Sequence, residues 1–497
     1  MVVLGYARHA NRAKISAGMQ SMPRWPPQYR GVQWCDVRTV DSVRQRHAPP
    51  TAREQTPVPV QQVWEQDIDE GPDNESLPLE TAQSTTKRHV PAPLVFEVPE
   101  EISLYTYYVN RVASELQAKD GFHNPYRKLA VLSLSFPVLF KTICSCAAEH
   151  LHALSRCPAT LAVDLQDKAI NAIRSQLAGW RSQAPPFPGR VSIDIGMNAD
   201  EALLAAVLLQ PGVIAFSGSA PISAQTHLDI AFYLLKELEY ISNPEKMNSW
   251  LPKFLLQRFA IVELGICVWH RRRPRFPLDT WFFQSPADTG HDLWDDVQPS
   301  FAEMTGCPHV VFTLLHRVLH LAADAAGELR QSPDTYKEAI DLETEIRLYD
   351  RREATDDIPM NSIRQCFIHA CLILLLRRVF QEGPSSARVQ NSVRTIFALL
   401  DDVPTTSPDG RSETSIVESG IDSATGLPFY LAAREAVTRN DQEYVREKHQ
   451  NWRKVYPNLA RVQLMDVAEE LWAERMKDGW SEEECARLEA ACDAYLF

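Results

Sequence analysis

An all-α fold, with one large helical domain over residues 99–497 behind a disordered N-terminal tail over residues 1–98, is what three observations predict. Apolar residues recur at spacings of three and four in segment after segment, which lines one face of a helix. Glycine is scarce, 19 in 497 residues, too few for a fold rich in tight β-turns or phosphate-cradling loops. The one alternation resembling a strand, Val191, Ile193 and Ile195, is too short to found a sheet.

The tail comes first. Twelve of the 34 prolines fall in the first hundred residues, where they remove amide donors and interrupt helices. Residues 1–50 hold eight Arg/Lys against two Asp, a balance of +6, and residues 51–100 hold three Arg/Lys against ten Asp/Glu, a balance of −7. Neither half sustains an apolar period, so a basic arm is followed by an acidic linker. Within the linker, WEQDIDEGPDNESLPLE (residues 64–80) sets Trp64, Ile68, Leu77 and Leu79 among Asp67, Asp69 and Glu70, the composition of an amphipathic activation segment, although a plain solvated linker is the simpler reading.

The helical pattern starts at Pro99, a favoured first helical residue, with Glu100 and Glu101 at the positive end of the helix dipole and Ile102, Tyr105, Val109, Val112 and Leu116 as its apolar face. Asn124-Pro125 marks a turn, and Pro137 divides the apolar stretch of residues 129–154 into two helices. Leu165, Ala169, Ile173 and Leu177 step by four, as do Ile230, Leu234 and Leu238, and Leu255 and Phe259 lead on to Val262 and Ile266. Further helices run through Phe312, Leu315 and Leu319, through Phe367, Cys371 and Leu374, through Val389, Val393 and Phe397, and through Val467 and Leu471. Ser481 with Glu484 forms a capping box that opens a last helix ending near Leu496.

Composition narrows the setting. A net charge of −13 with 45% hydrophobic residues is that of a soluble globular chain. Ten cysteines in a chain this long are too sparse for a disulfide framework and predict a reducing compartment. Arg8 breaks the opening apolar stretch, so no secretory signal is expected, and the longest uncharged stretch, residues 202–228, is interrupted by Pro211, Gly212 and Pro221, so no membrane span is expected either. Cytosol or nucleus remains.

Catalytic motifs fail. There is no G-x-S-x-G elbow, P-loop, dinucleotide fingerprint or H-E-x-x-H; the nearest approach, His316 and His320, has Arg317 where a metalloprotease needs its Glu. His309, His316, His320 and Asp324 share a helical stripe that could hold a metal, but Phe312, Leu315, Val318 and Leu319 define the apolar face and leave the histidines on its polar margin. Of Cys144, Cys146, His150 and His152, only Cys146 and His150 face the same way, and core thiols beside partly exposed histidines are the simpler reading. Arg271, Arg272, Arg273 and Arg275 concentrate four cations directly after an apolar helix; they fit a nuclear import signal, a phosphate contact, or cations complementing the negative helix end. The pairs Asp295-Asp296, Asp356-Asp357 and Asp401-Asp402 stand beside turns or Pro, as caps and loops do. No catalytic, cofactor-binding or metal-ligating residue is therefore assigned.

The order of segments says more than any single motif. LYTYYVNRVASEL (104–116), NPY (124–126), AAEHLHAL (147–154) and DLQDKAINAIRSQL (164–177) resemble the opening of the fungal-specific transcription-factor domain, the helical regulatory region of fungal zinc-cluster regulators. The likeness continues through FAIVELGICVWHRRRPRFPLDTWF (259–282), TGCPHVVFTLLHRVLHLA (305–322), YKEAIDLETEIRLYD (336–350), GLPFYLAAREA (426–436) and LMDVAEELWAERMKDG (464–479). The resemblance covers about residues 100 to 480 and implies an all-α bundle that regulates transcription in the nucleus, often of a metabolic or secondary-metabolite pathway.

One departure stands out. Members carry a six-cysteine module whose thiolates hold two zinc ions and aim a helix into the major groove. The first 140 residues here contain only Cys35, and one thiolate cannot assemble that cluster. A truncated gene model, a DNA-binding partner protein, or contact through the basic arm would each account for this. The arm's Arg8, Arg12, Arg24, Arg30, Arg38, Arg44 and Arg46, with Lys14, Trp25 and Trp34, suit phosphates without reading sequence. The expectation is a regulator without its own zinc cluster, acting with transcription machinery or a DNA-binding partner and open to a small-molecule effector. The alternative is an all-α metabolite-binding protein or pathway enzyme.

Overall fold

The computed structural model describes residues 99–120, 124–180, 197–218, 222–247, 249–277, 301–306, 308–326, 332–352, 358–401, 424–455 and 458–477, with positions 481 and 487. Every regular element among them is a helix, and the helices pack as one domain. The strand-like alternation at 191–195, nearly all of the last helix expected after Ser481, and the tail lie outside the described residues.

α1 starts at Pro99 as expected and runs as α-helix over Pro99–Tyr107, as π-helix over Tyr108–Val112 and as a final turn over Ala113–Glu115. Its buried face is Glu101, Leu104, Tyr108, Val112 and Glu115, while Ile102 is exposed. The expected stripe thus sits about one residue off. The π segment inserts a wider turn, and the buried partners of Glu115 draw a polar residue inward where hydropathy alone would place it outside.

Pro137 divides the next stretch as expected, giving α2 (Pro125–Ser133), N-capped by the Asn124 side chain, and α3 (Pro137–Ala153). α4 (Ala159–Trp180) buries Leu165, Ala169, Ile173 and Leu177, the four residues its periodicity selects. α5 (Ala199–Ser217) opens on an Asn198/Glu201 capping box and is buried from Glu201 to Ser217. Pro211 and Gly212 do not interrupt it. A prolyl nitrogen forfeits one ladder bond, a cost that close packing on every side of α5 offsets.

α5 alone among the described helices is long and apolar enough to cross a membrane, and here it is wrapped by α3, α4, α6 (Ile222–Glu237), α7 (Trp250–His270) and α15 (Leu459–Arg475). Its C-cap, Gly218, has φ +62°, and a Cβ there would lie 2.7 Å from Leu459 Cβ. Gly218→Ala combines left-handed strain with overlap, so thermal unfolding should reveal a loss of roughly 1–3 kcal/mol.

The second half is built from α8 (Phe301–Thr305), α9 (His309–Ala326), α10 (Pro333–Arg352), α11 (Ile358–Arg378), α12 (Ala387–Asp401), α13 (Gly426–Arg434), α14 (Arg439–Val455) and α15. α11 is its centre, packed on α9, α10, α12 and α13. The two halves meet where α7 packs on α9 and where α15 crosses back to α5.

Candidate functional site

The arginine run after α7 lies at the seam between the halves. Within residues 259–269, otherwise uncharged, Glu263 is fully buried. An unpaired carboxylate there would be prohibitive, and the chain returns to neutralise it. Arg271 caps α7 in the left-handed conformation, φ +51°, which reverses the backbone. Arg272 Nη2 then donates to Glu263 Oε2 at 2.9 Å, and the Arg275 amide donates to Oε1 at 3.2 Å with its Nε at 3.5 Å. Arg275 also pairs with Asp229 of α6 at 2.5 Å and stacks over Phe232, while Arg273 pairs with Asp324 of α9.

This clasp seats Phe276 against Phe259 and Phe232, with ring centroids 5.2 and 6.4 Å apart. The Phe276 carbonyl accepts from two imidazoles of α9, His316 Nε2–H at 2.9 Å and His320 Nε2–H at 2.8 Å. Both rings carry a proton on Nε2, since a carbonyl only accepts. Burial pushes the His316 pKa down to about 3 and that of His320 in the same direction. Both histidines are buried, correcting the expectation of a polar margin: the carbonyl they share lies inside the seam. Asp324 is taken by Arg273, and His309 lies against Thr313 and Phe301, so the stripe is divided among separate partners.

A second carboxylate closes the other side of the seam. Glu435, 1% exposed, accepts from Arg377 Nε at 2.9 Å and Arg475 Nη2 at 3.2 Å. Arg434 stacks on Trp269, and Arg378 donates to the Val268 carbonyl, so both contact the last turn of α7. The end of α7 is thereby tied to α6 through Arg275, to α9 through Arg273 and the Phe276 carbonyl, and to α11 and α13 through Arg378 and Arg434, while Arg475 of α15 joins the same cluster at Glu435.

A third buried pair pins α1 on α3. Tyr107 O–H donates to His150 Nδ1 at 2.9 Å, His150 Nε2–H donates to Glu115 at 2.8 Å, and Arg111 reaches the same carboxylate at 2.5 Å. Burial opposes the Glu115 charge, but His150 and Arg111 outweigh it and hold the carboxyl below its ordinary range. His150 is 1% exposed, not partly exposed as expected. Cys144 and Cys146 are buried as core thiols, their pKa values pushed up by burial. Among the described residues no group of three or more His, Cys, Asp or Glu is placed to hold a metal.

The arrangement is suited to holding helices in register: Glu435 and Glu115 bridge elements distant in the chain, and Glu263 fixes the turn after its own helix so that Arg273 and Arg275 reach Asp324 and Asp229. Of the four arginines singled out by sequence, the structure brings Arg272, Arg273 and Arg275 to the seam as ion-paired groups, with Arg271 as cap. Their acidic partners Glu263, Asp229 and Asp324 carried one readable signal, the lone Glu on an apolar helix. Trp64, Asp67, Ile68, Asp69, Glu70, Leu77 and Leu79 lie outside the described residues, as do Asp295-Asp296 and Asp356-Asp357. Asp401 accepts from the Tyr444 hydroxyl.

The family model for the fungal specific transcription factor domain matches residues 103–491. The search of curated proteins and the search of solved structures each give no match.

Proposed function

Because the chain belongs to the fungal specific transcription factor domain family, we propose that it regulates transcription of a metabolic or secondary-metabolite pathway from the nucleus, its helical body setting the output. The family match across the helical body carries this reading. The seam at the end of α7 supports a mechanism. Ion pairs, a cation–π contact and hydrogen bonds there link α6, α7, α9, α11, α13 and α15, so an effector that favours one packing of the two halves over another shifts which surface they present. A small molecule or a protein contact can supply that preference.

DNA is reached indirectly, through a DNA-binding partner protein, or by nonspecific phosphate contact from the arginines of residues 1–50. A nuclear import role for Arg271, Arg272, Arg273 and Arg275 requires the seam to open, since three of them are engaged by acids. Three of the buried carboxylates, Glu263, Glu435 and Glu115, are committed to arginine or histidine, as structural ion pairs are and acid–base groups in a cleft are not.

The segment of residues 64–80 recruits transcription machinery in this scheme. Deleting it, with nuclear protein level held constant, should abolish activation of a reporter. Unchanged output would remove the segment from the mechanism, and a reporter indifferent to loss of the whole chain would remove the regulatory reading.

A further inference from the structure

Among the described residues, α10 presents an apolar ridge to solvent, with the Tyr336 ring set edge-on to Phe380 at its start. Tyr336, Ile340 and Leu348 are 56, 47 and 43% exposed and stand with Thr344 at intervals of four. The opposite face, Ala339, Leu342 and Ile346, is buried on α9 and α11, so the helix has apolar residues on both sides. Its flanks are acidic. Asp334, Glu338 and Asp341 are exposed, with Lys337 the one cation between them, whereas Glu345, Glu343 and Arg347 are used in ion pairs.

We infer that this ridge is the docking surface for the chain's own basic arm, residues 24–46. The match is chemical on both counts. That stretch has five arginines (24, 30, 38, 44 and 46) against two aspartates (36 and 41), a balance of +3 that faces three acids on α10. It also carries Trp25, Trp34, Val37, Val40 and Val43, apolar groups able to cover Ile340 and Leu348. The acidic segment of residues 64–80 has the wrong sign for this face.

Reach is no obstacle. Residues 47–98 separate the arm from α1, and 52 residues can extend to at most ~170 Å. The radius of gyration expected for a domain of about four hundred residues is ~21 Å. Tethering replaces a bimolecular encounter by an effective concentration, so a modest contact suffices. A docked arm has its arginines occupied and is withheld from nucleic-acid phosphates, which makes the contact autoinhibitory toward nonspecific DNA binding.

The arm carries Cys35, and this allows a direct test in the full chain. Ile340→Cys, oxidised under dilute conditions and mapped by mass spectrometry, should form a Cys35 to position 340 disulfide within one chain, at a yield independent of protein concentration. Adding Asp334→Lys, Glu338→Lys and Asp341→Lys, all exposed positions, should cut the yield at least ~5-fold, as should raising salt from about 0.05 to about 0.5 M. Duplex DNA of arbitrary sequence should compete. Absence of this disulfide, a linkage found only between two chains, or a yield indifferent to the three reversals would overturn the assignment; the first variant's far-UV dichroism checks that the body remains helical.

Discussion

Glu263→Ala is expected to destabilise the protein by about 3–5 kcal/mol, because it strands the Arg272 guanidinium in the seam and leaves Arg275 with Asp229 as its acid. Arg272 and Arg275 are 26 and 16% exposed and face Glu263 at 0%. The Arg275 amide loses its acceptor as well. Glu263→Gln keeps an acceptor oxygen and fills the same volume, so a smaller loss of about 1–3 kcal/mol is expected. Urea denaturation followed by tryptophan fluorescence reads both, since Trp269 sits one turn and a half beyond Glu263. Equal midpoints for wild type and Glu263→Ala would show that the clasp contributes nothing to the fold.

Mild acid should weaken the fold for a related reason. His316 and His449 are buried as neutral rings, and burial pushes their pKa values down to about 3 and about 4. His449 receives the Tyr430 hydroxyl on Nδ1 at 2.7 Å, and nearby Arg453 and Arg461 add to the effect. In the unfolded chain both titrate near 6.5. Between that value and the folded pKa the unfolded state holds more protons, so stability rises with pH and is lost as pH falls from 6.5 toward about 4. Each histidine adds a slope of up to about 1.4 kcal/mol per pH unit in that window. His316→Gln places an amide N–H near the Nε2 position for the Phe276 carbonyl but cannot titrate. The pH dependence of its urea midpoint should flatten by one proton, and an unchanged slope would refute the assignment.

How far the sequence discloses this structure depends on what each helix packs against. α4, whose partners α3 and α5 are apolar, buries the residues its period selects, Leu165, Ala169, Ile173 and Leu177. α1 does not, because Glu115 is bought inward by His150, a partner 35 residues away that no local window contains. The same limit governs the candidate site. The arginine run was visible as four cations in five positions, and Glu263 as a charge on an apolar helix, but their pairing depends on the reversal at Arg271. His316 and His320 were visible as a pair, yet placed on the wrong margin, since the Phe276 carbonyl that draws them inside arrives from another segment. Periodicity reports what water rejects; it is silent about polar groups that find one another in the interior.

The junction of Gly218 with α15 bears on how such a chain is made. Gln463 donates to the Gly218 carbonyl at 2.9 Å, and Leu459 covers the end of α5, so the most buried helix of the first half is finished by one made some 245 residues later. While a ribosome is still translating, α5 has no such cover, and its apolar side is open to chaperones and proteases. A premature stop before codon 458 would leave it so permanently, and the nascent product should be recovered bound to Hsp70-type holdases or degraded, although every residue of the first half is present.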